Sequence, residues 1–151
     1  MDNFDEKPFG ALLGALKKNQ HKFLNDRLKK VDLTAMQAVF LIKIHVQDCC
    51  SQKDLADYFY VNKGTVAKYL RDLEDKGFVT RERVPENRRQ YKLKCTEKAI
   101  DIMATFKEIN EEWEQKVGLN ELGPDFVEKF RKLTVNSVKL NEEELWSSRV
   151  V

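Results

Sequence analysis

From residue 62 to 72 the chain reads Asn-Lys-Gly-Thr-Val-Ala-Lys-Tyr-Leu-Arg-Asp, and its polar members can bond base edges and phosphate oxygens. Lys63, Lys68 and Arg71 supply cationic donors, and Lys can donate to guanine acceptors. Thr65 offers a hydroxyl for either partner and a methyl for a thymine methyl. Asn62 carries the carboxamide that matches an adenine edge or a phosphate. Gly64 leaves room for close backbone approach. Some 20 residues on, Arg88 and Arg89 stand side by side, with Arg81, Lys92 and Lys94 around them. Arginine suits the strong negative potential of a narrow minor groove, and scattered lysines suit backbone contacts that position without reading sequence. The competing reading is an ordinary solvated helix face, with Lys68 and Asp72 paired one turn apart, and a merely solubilising basic turn.

Two other groups of residues invite different chemistry. Cys49 and Cys50 are adjacent, His45 lies four residues before Cys49, and Cys95 stands apart. Thiolates sense oxidants, bind zinc or attack carbonyls. Adjacent cysteines bridge each other only with strain, and no Cys-x-x-Cys or paired-His spacing completes a metal site. No Gly-rich loop, paired acidic motif or second base accompanies them. The expectation is therefore a buried or incidental thiol, no cofactor, no metal and no enzyme, with a cysteine-based redox sensor or thiol enzyme as the alternative. Lys17 and His21, with Lys22 and Arg27, are candidates to face a ligand cavity, against the plainer reading of a solvated helix face.

These residues need elements to hold them. Phe9, Leu12, Leu13, Leu16, Phe23, Leu24 and Leu28 recur at helical spacing and predict an amphipathic helix from about Phe9 to Leu28. Thr34 followed three residues later by Gln37 is a capping box, opening an apolar helix to about Val46. Ser51 and Asp54 open a short third helix carrying Leu55, Ala56, Tyr58 and Phe59. Asn62 caps a fourth, with Val66, Tyr69, Leu70 and Leu73 inward and Gly77 ending it. Two helices joined by a three- or four-residue turn make a helix-turn-helix. Phe78 to Val84 then reads as a strand, Pro85 to Arg89 as a basic turn, and Tyr91, Leu93 and Cys95 alternate along a second strand. Thr96 caps a helix carrying Ile100, Met103, Phe106, Ile109 and Trp113. A break at Gly118 and Gly123-Pro124 leads to a last helix with Phe126, Val127, Phe130, Leu133 and Val138. The expected fold is mainly α with a small β-wing: a winged helix-turn-helix with flanking helices, about six in all.

The chain has 151 residues, 34% charged and 42% hydrophobic, with net charge +2. Its longest apolar run, Ala38 to Ile42, is far short of the roughly 20 residues of a membrane span. The acidic first residues show no secretory leader. A soluble, cytoplasmic chain without a membrane role is expected. Residues 51–98 hold 12 Lys/Arg against 8 Asp/Glu, whereas residues 99–151 hold 7 against 11. A basic middle beside an acidic C-terminal third suggests that the middle meets a polyanion.

Asp54-Leu55-Ala56, Asn62-Lys63-Gly64-Thr65-Val66, Leu70 through Val79, and Asn87-Arg88-Arg89 through Leu93 to Thr96-Glu97-Lys98-Ala99 together resemble the MarR family of transcription regulators. Where that family has Asp-x-Arg in the wing, this chain has Asn87 and Arg89, so the carboxylate that would orient the arginine is missing. Ala99 stands where Gly is frequent. The resemblance implies a homodimer built from the first helix and the last two. It divides the chain into residues 1–33 and 99–151 for dimerisation and 34–98 for DNA binding, through Asn62, Lys63, Thr65, Lys68, Arg71, Arg88 and Arg89. Trp113, Phe126, Phe130 and Trp146 independently suit an interface, the alternative being a monomeric core. A two-fold dimer would read an inverted repeat in double-stranded DNA with half-sites about 34–36 Å apart. The resemblance further implies a repressor answering to a small aromatic or anionic effector. A winged helix that docks on a protein partner is the competing function.

Overall fold

The computed structural model describes residues 3–47 and 50–147, apart from the side chains of residues 88–90 and 143–147. Cys49 and the side chains of Arg88, Arg89 and Trp146 therefore lie outside the described residues.

Helix α1 spans Phe9–Leu28 and passes through a 3-10 turn, Lys29–Val31, to Asp32, whose φ of 56° is left-handed. Helix α2, Ala35–Val46, begins with the predicted box: the Thr34 hydroxyl accepts from the Gln37 N–H, and Gln37 Oε1 accepts from the Thr34 N–H. Asn25 of α1 reaches over, its Oδ1 accepting from the Ala35 N–H at 2.7 Å, so α1 helps satisfy the free N–H groups of α2. Helix α3, Gln52–Phe59, opens with the reciprocal Ser51 and Asp54 pair. It stops at Tyr60, left-handed at φ 52°.

Helix α4, Lys63–Asp75, starts where Asn62 Oδ1 accepts from the Thr65 N–H at 2.8 Å. It ends in a Schellman motif: the Phe78 N–H donates to the Leu73 carbonyl and the Gly77 N–H to that of Glu74. Gly77 at φ 75° supplies the left-handed turn. Strands β1, Val79–Val84, and β2, Asn87–Cys95, pair antiparallel from Val79↔Cys95 to Arg83↔Tyr91. The register then shifts to Val84↔Asn87. The turn is Pro85-Glu86 alone, so the expected five-residue basic tip is corrected: Asn87, Arg88 and Arg89 belong to β2. The helix expected as one element after Thr96 is broken at Ile102 into α5, Glu97–Asp101, and α6, Met103–Lys116. After a 3-10 turn at Leu119–Leu122 comes α7, Pro124–Ser147, with proline at its first position, where the missing N–H costs nothing.

The core gathers Phe40 and Leu41 of α2, Leu55 of α3, and Val66, Leu70 and Leu73 of α4, all fully buried. Phe40 stacks on Phe59 at 5.0 Å and meets the edge of Tyr69 at 5.7 Å, fixing α2 against α3 and α4. The Cys50 carbonyl accepts from the Leu93 N–H at 2.9 Å, which stitches the approach to α3 onto β2. Two compact units result, Met1–Glu111 and Glu112–Val151, with the boundary inside α6. No helix among the described residues is long and apolar enough to cross a membrane.

Candidate nucleic-acid interface

The burial of Val66, Leu70 and Leu73 leaves one face of α4 outward, and it carries most of the predicted residues. Asn62, Lys63, Lys68 and Arg71 are exposed and Thr65 is half-buried. Lys63, Lys68 and Arg71 form no ion pair among the described residues, so their charges are uncommitted. Asn62 has its Oδ1 engaged in capping, which leaves its amide N–H groups to face outward chemistry. Gly64 sits where an added Cβ would come 3.3 Å from that same Oδ1, so the glycine keeps room for the cap as well as bare backbone at the helix start.

Sequence reasoning missed how α3 supports this helix. Gln52 Nε2 donates to the Lys63 carbonyl at 3.3 Å, setting the first turns of α3 and α4 side by side. No signal in the spacing marks it, because the two residues belong to separate helices. Tyr58 is exposed with Lys43 Nζ 3.7 Å above its ring, an α2-to-α3 cation–π contact equally silent in the sequence.

Asp72, expected with Lys68 on or near the outer face, has a side chain 46% exposed but turns away from Lys68. It pairs with Lys76 at 2.8 Å and accepts from Gln37 Nε2. The Lys76 and Gln37 bonds hold its carboxyl below the ordinary carboxylate value. Two of the wing cations expected to serve backbone contacts are paired with carboxylates. Arg81 is committed to Glu74 of α4, and Lys94 sits 2.8 Å from Glu82 on the facing strand. Lys92 is half-buried beside Leu93.

The thiols are quiet. Cys50 is fully buried, and burial, reinforced by Asp54, pushes its thiol up to about 11 against the opposing pull of Lys43. Burial and then the neighbouring Cys50 push Cys95 to about 11 as well. Among the described residues no group of three or more His, Cys, Asp or Glu could hold a metal ion. His21 is half-buried on α1, and burial followed by Lys17 lowers its basicity. A cavity of about 430 Å³ lies between α1, α2 and α6, lined by Leu24, Leu28, Val39, Ile42, Met103 and Phe106 with His45, Lys107 and Asn110. Neither Lys17 nor His21 lines it.

A short helix, a tight turn, a capped second helix with an outward polar face and a hairpin behind it define a winged helix-turn-helix protein. The sequence model of the MarR family matches residues 33–91, from just before α2 to the middle of β2. The transcriptional regulator SarZ of Staphylococcus saprophyticus is 29% identical over 136 residues, covering 85% of this chain and 93% of that protein. The crystal structure of a MarR superposes with TM-score 0.86 at 31% identity, over 95% of this chain and 99% of that one. A cysteine-to-serine mutant of MarR from E. coli, solved with operator DNA, superposes with TM-score 0.75 at 26% identity, over 91% of this chain and 99% of that one. The chain belongs to the MarR family and is a transcriptional regulator of that family, not an enzyme.

Proposed function

We propose that the protein is a cytoplasmic, dimeric repressor that reads an inverted repeat in double-stranded DNA and answers to a small-molecule effector. The observation that carries this reading is the outward face of α4, where Lys63, Lys68 and Arg71 form no ion pair among the described residues and stand beside an N-capped first turn. In this reading residues 34–98 are the DNA-binding lobe. Asn62, Lys63, Thr65, Lys68 and Arg71 enter the major groove, and Arg88 and Arg89 address the minor groove. The operator complex of the E. coli MarR mutant supports it by similarity.

Residues 1–33 and 99–151 serve dimerisation. Phe9, Leu12, Leu13 and Leu16 stand exposed along α1, and Phe126, Val127, Leu133 and Val138 along α7. Such apolar rows on a soluble domain mark a protein interface. The cavity of about 430 Å³ has the size and apolar lining of a small-molecule site. His45, Lys107 and Asn110 on its wall suit an effector with one polar or anionic end, and Lys17 and His21 remain further candidates. An effector that prefers one separation of the two α4 helices shifts the dimer toward or away from operator spacing.

The test is selection from a random duplex library at near-physiological salt, followed by sequencing and by measurement of the mass of the free protein. An enriched inverted repeat with half-sites about one helical turn apart, bound by a dimer, is the expected result. A featureless pool with a monomeric protein would reject the reading.

A further inference from the structure

The carboxyl end of α4 is tied to the connection between α1 and α2 through a single lysine. Lys76 Nζ donates to the Asp32 carbonyl at 2.7 Å and lies 3.4 Å from Asp32 Oδ2. The same nitrogen is 2.8 Å from Asp72 Oδ2, and Asp72 accepts from Gln37 Nε2. Gln37 is 2% exposed, so its amide has no solvent to turn to. Its Oε1 accepts from the Thr34 N–H, which closes the chain of contacts at the first turn of α2. Thr34, Gln37, Asp72, Lys76 and Asp32 all line one cavity of about 430 Å³ between these elements, which Leu33 and Tyr69 share.

Two features separate this arrangement from an ordinary surface ion pair. The Lys76 side chain is only 23% exposed although its partner Asp32 is 84% exposed, so the lysine is held in place while the aspartate stands at the surface. Asp32 holds the left-handed conformation that a residue with a Cβ adopts at a cost, and the lysine grips its carbonyl there. Other contacts at this end of α4 run elsewhere. Thr96 Oγ1 donates to the Gly77 carbonyl, and Lys98 Nζ donates to the Lys76 carbonyl at 2.6 Å. Those bonds secure the helix end on α5 and do not involve the Lys76 side chain, so removing that side chain leaves the end of the helix held.

We propose that Lys76 is a positioning residue for DNA binding: it fixes the orientation of α4 against the end of α1, so that the dimer presents its two α4 helices at one separation. This rests on the dimeric DNA-binding reading above. Lys76 touches no DNA in the proposal and acts through Asp32 and Asp72.

The experiment compares wild type, Lys76→Met and Lys76→Arg on the best duplex recovered from the random library and on versions with one base pair added or removed between half-sites. Wild type should prefer its own spacing. Lys76→Met should bind that duplex about five- to tenfold more weakly, the usual size of a coupling between sites, and lose most of the preference between spacings. Its affinity for unrelated duplex should stay as in wild type. Lys76→Arg, which keeps charge and reach, should restore the spacing preference. The proposal is overturned if Lys76→Met discriminates spacings as sharply as wild type. It is equally overturned if the variant weakens on all duplexes alike and melts lower, which is the mark of a purely structural role. A wild type that selects no inverted repeat removes the underlying reading, an outcome visible before any variant is made, and the positioning role goes with it.

Discussion

Arg81 of β1 and Glu74 of α4 meet through two parallel hydrogen bonds, Nε to Oε1 at 2.6 Å and Nη2 to Oε2 at 3.1 Å. Each side chain is less than a third exposed, and the fork geometry binds both carboxylate oxygens at once. The wing is thereby locked to the helix that precedes it. Replacing Glu74 with Gln should cost about 1 kcal/mol of stability, the upper range for such a pair, in urea unfolding. It should also weaken duplex binding without changing which sequence is selected. A neutral effect on stability would mean the pair is decorative.

Asn62 has a double duty that substitution can separate. Asn62→Ser keeps a capping oxygen, whereas Asn62→Ala removes it and should cost about 1 kcal/mol in thermal or chemical unfolding. Both variants lose the carboxamide and should relax base preference at one position of the selected duplex. If Asn62→Ser keeps the full preference, the residue is a cap and nothing else.

Arg89→Ala should weaken duplex binding and lower the slope of log affinity against log salt by about 1, as expected for one lost phosphate-region contact. The same slope measured for Arg81→Lys should stay closer to wild type, because Arg81 is already spoken for by Glu74. An unchanged slope in Arg89→Ala would take the wing out of the DNA contact.

Acid should expose two of the depressed carboxylates, Asp54 and Asp72. Asp54 is held low by the Ser51 hydroxyl and N–H, and Asp72 by Lys76 and Gln37. Their contribution to stability is fully present above the ordinary value of 3.8 and is lost as pH falls through the lower folded values. His21, depressed by burial and Lys17, adds an earlier loss: below its ordinary 6.5 the unfolded chain takes up the proton first. Urea unfolding across this range should show His21→Gln removing the loss that begins near 6.5 and Asp72→Asn flattening the one below 3.8. An Asp72→Asn curve parallel to wild type in acid would contradict the Asp72 assignment.

With thiols near 11, Cys50 and Cys95 are almost wholly protonated at neutral pH and react slowly. In a Cys49→Ser background, maleimide labelling of the native protein should be at least tenfold slower than in denaturant, and mild peroxide should leave duplex affinity unchanged. Rapid native labelling would reopen the redox alternative.

What could be read from the sequence was local. Thr34 with Gln37, Ser51 with Asp54 and Asn62 with Thr65 interact three residues apart, so spacing alone exposes them. Gly77 betrays the end of α4 because the turn needs its left-handed backbone. Lys68 and Asp72 are four apart and looked like a pair by the same logic. The competing partner Gln37 lies 35 residues from Asp72, and Lys76 fits the same local spacing from the other side. The commitment of Arg81 to Glu74 depends on how the hairpin folds back, which no period records. The wing tip was misread because the register shift opposite Arg83 and Val84 moves the turn to Pro85-Glu86. Of the site, residue identities on α4 were legible; which cations stay unpaired was not.

Each of the four helices α2, α3, α4 and α5 begins with its own side-chain cap, at Thr34, Ser51, Asn62 and Thr96. A lobe whose helix starts are closed internally does not need a partner to finish folding. Association should then resemble rigid-body docking: little ordering entropy is spent on contact, and the heat-capacity change of binding should match the surface buried, without the excess that coupled folding adds.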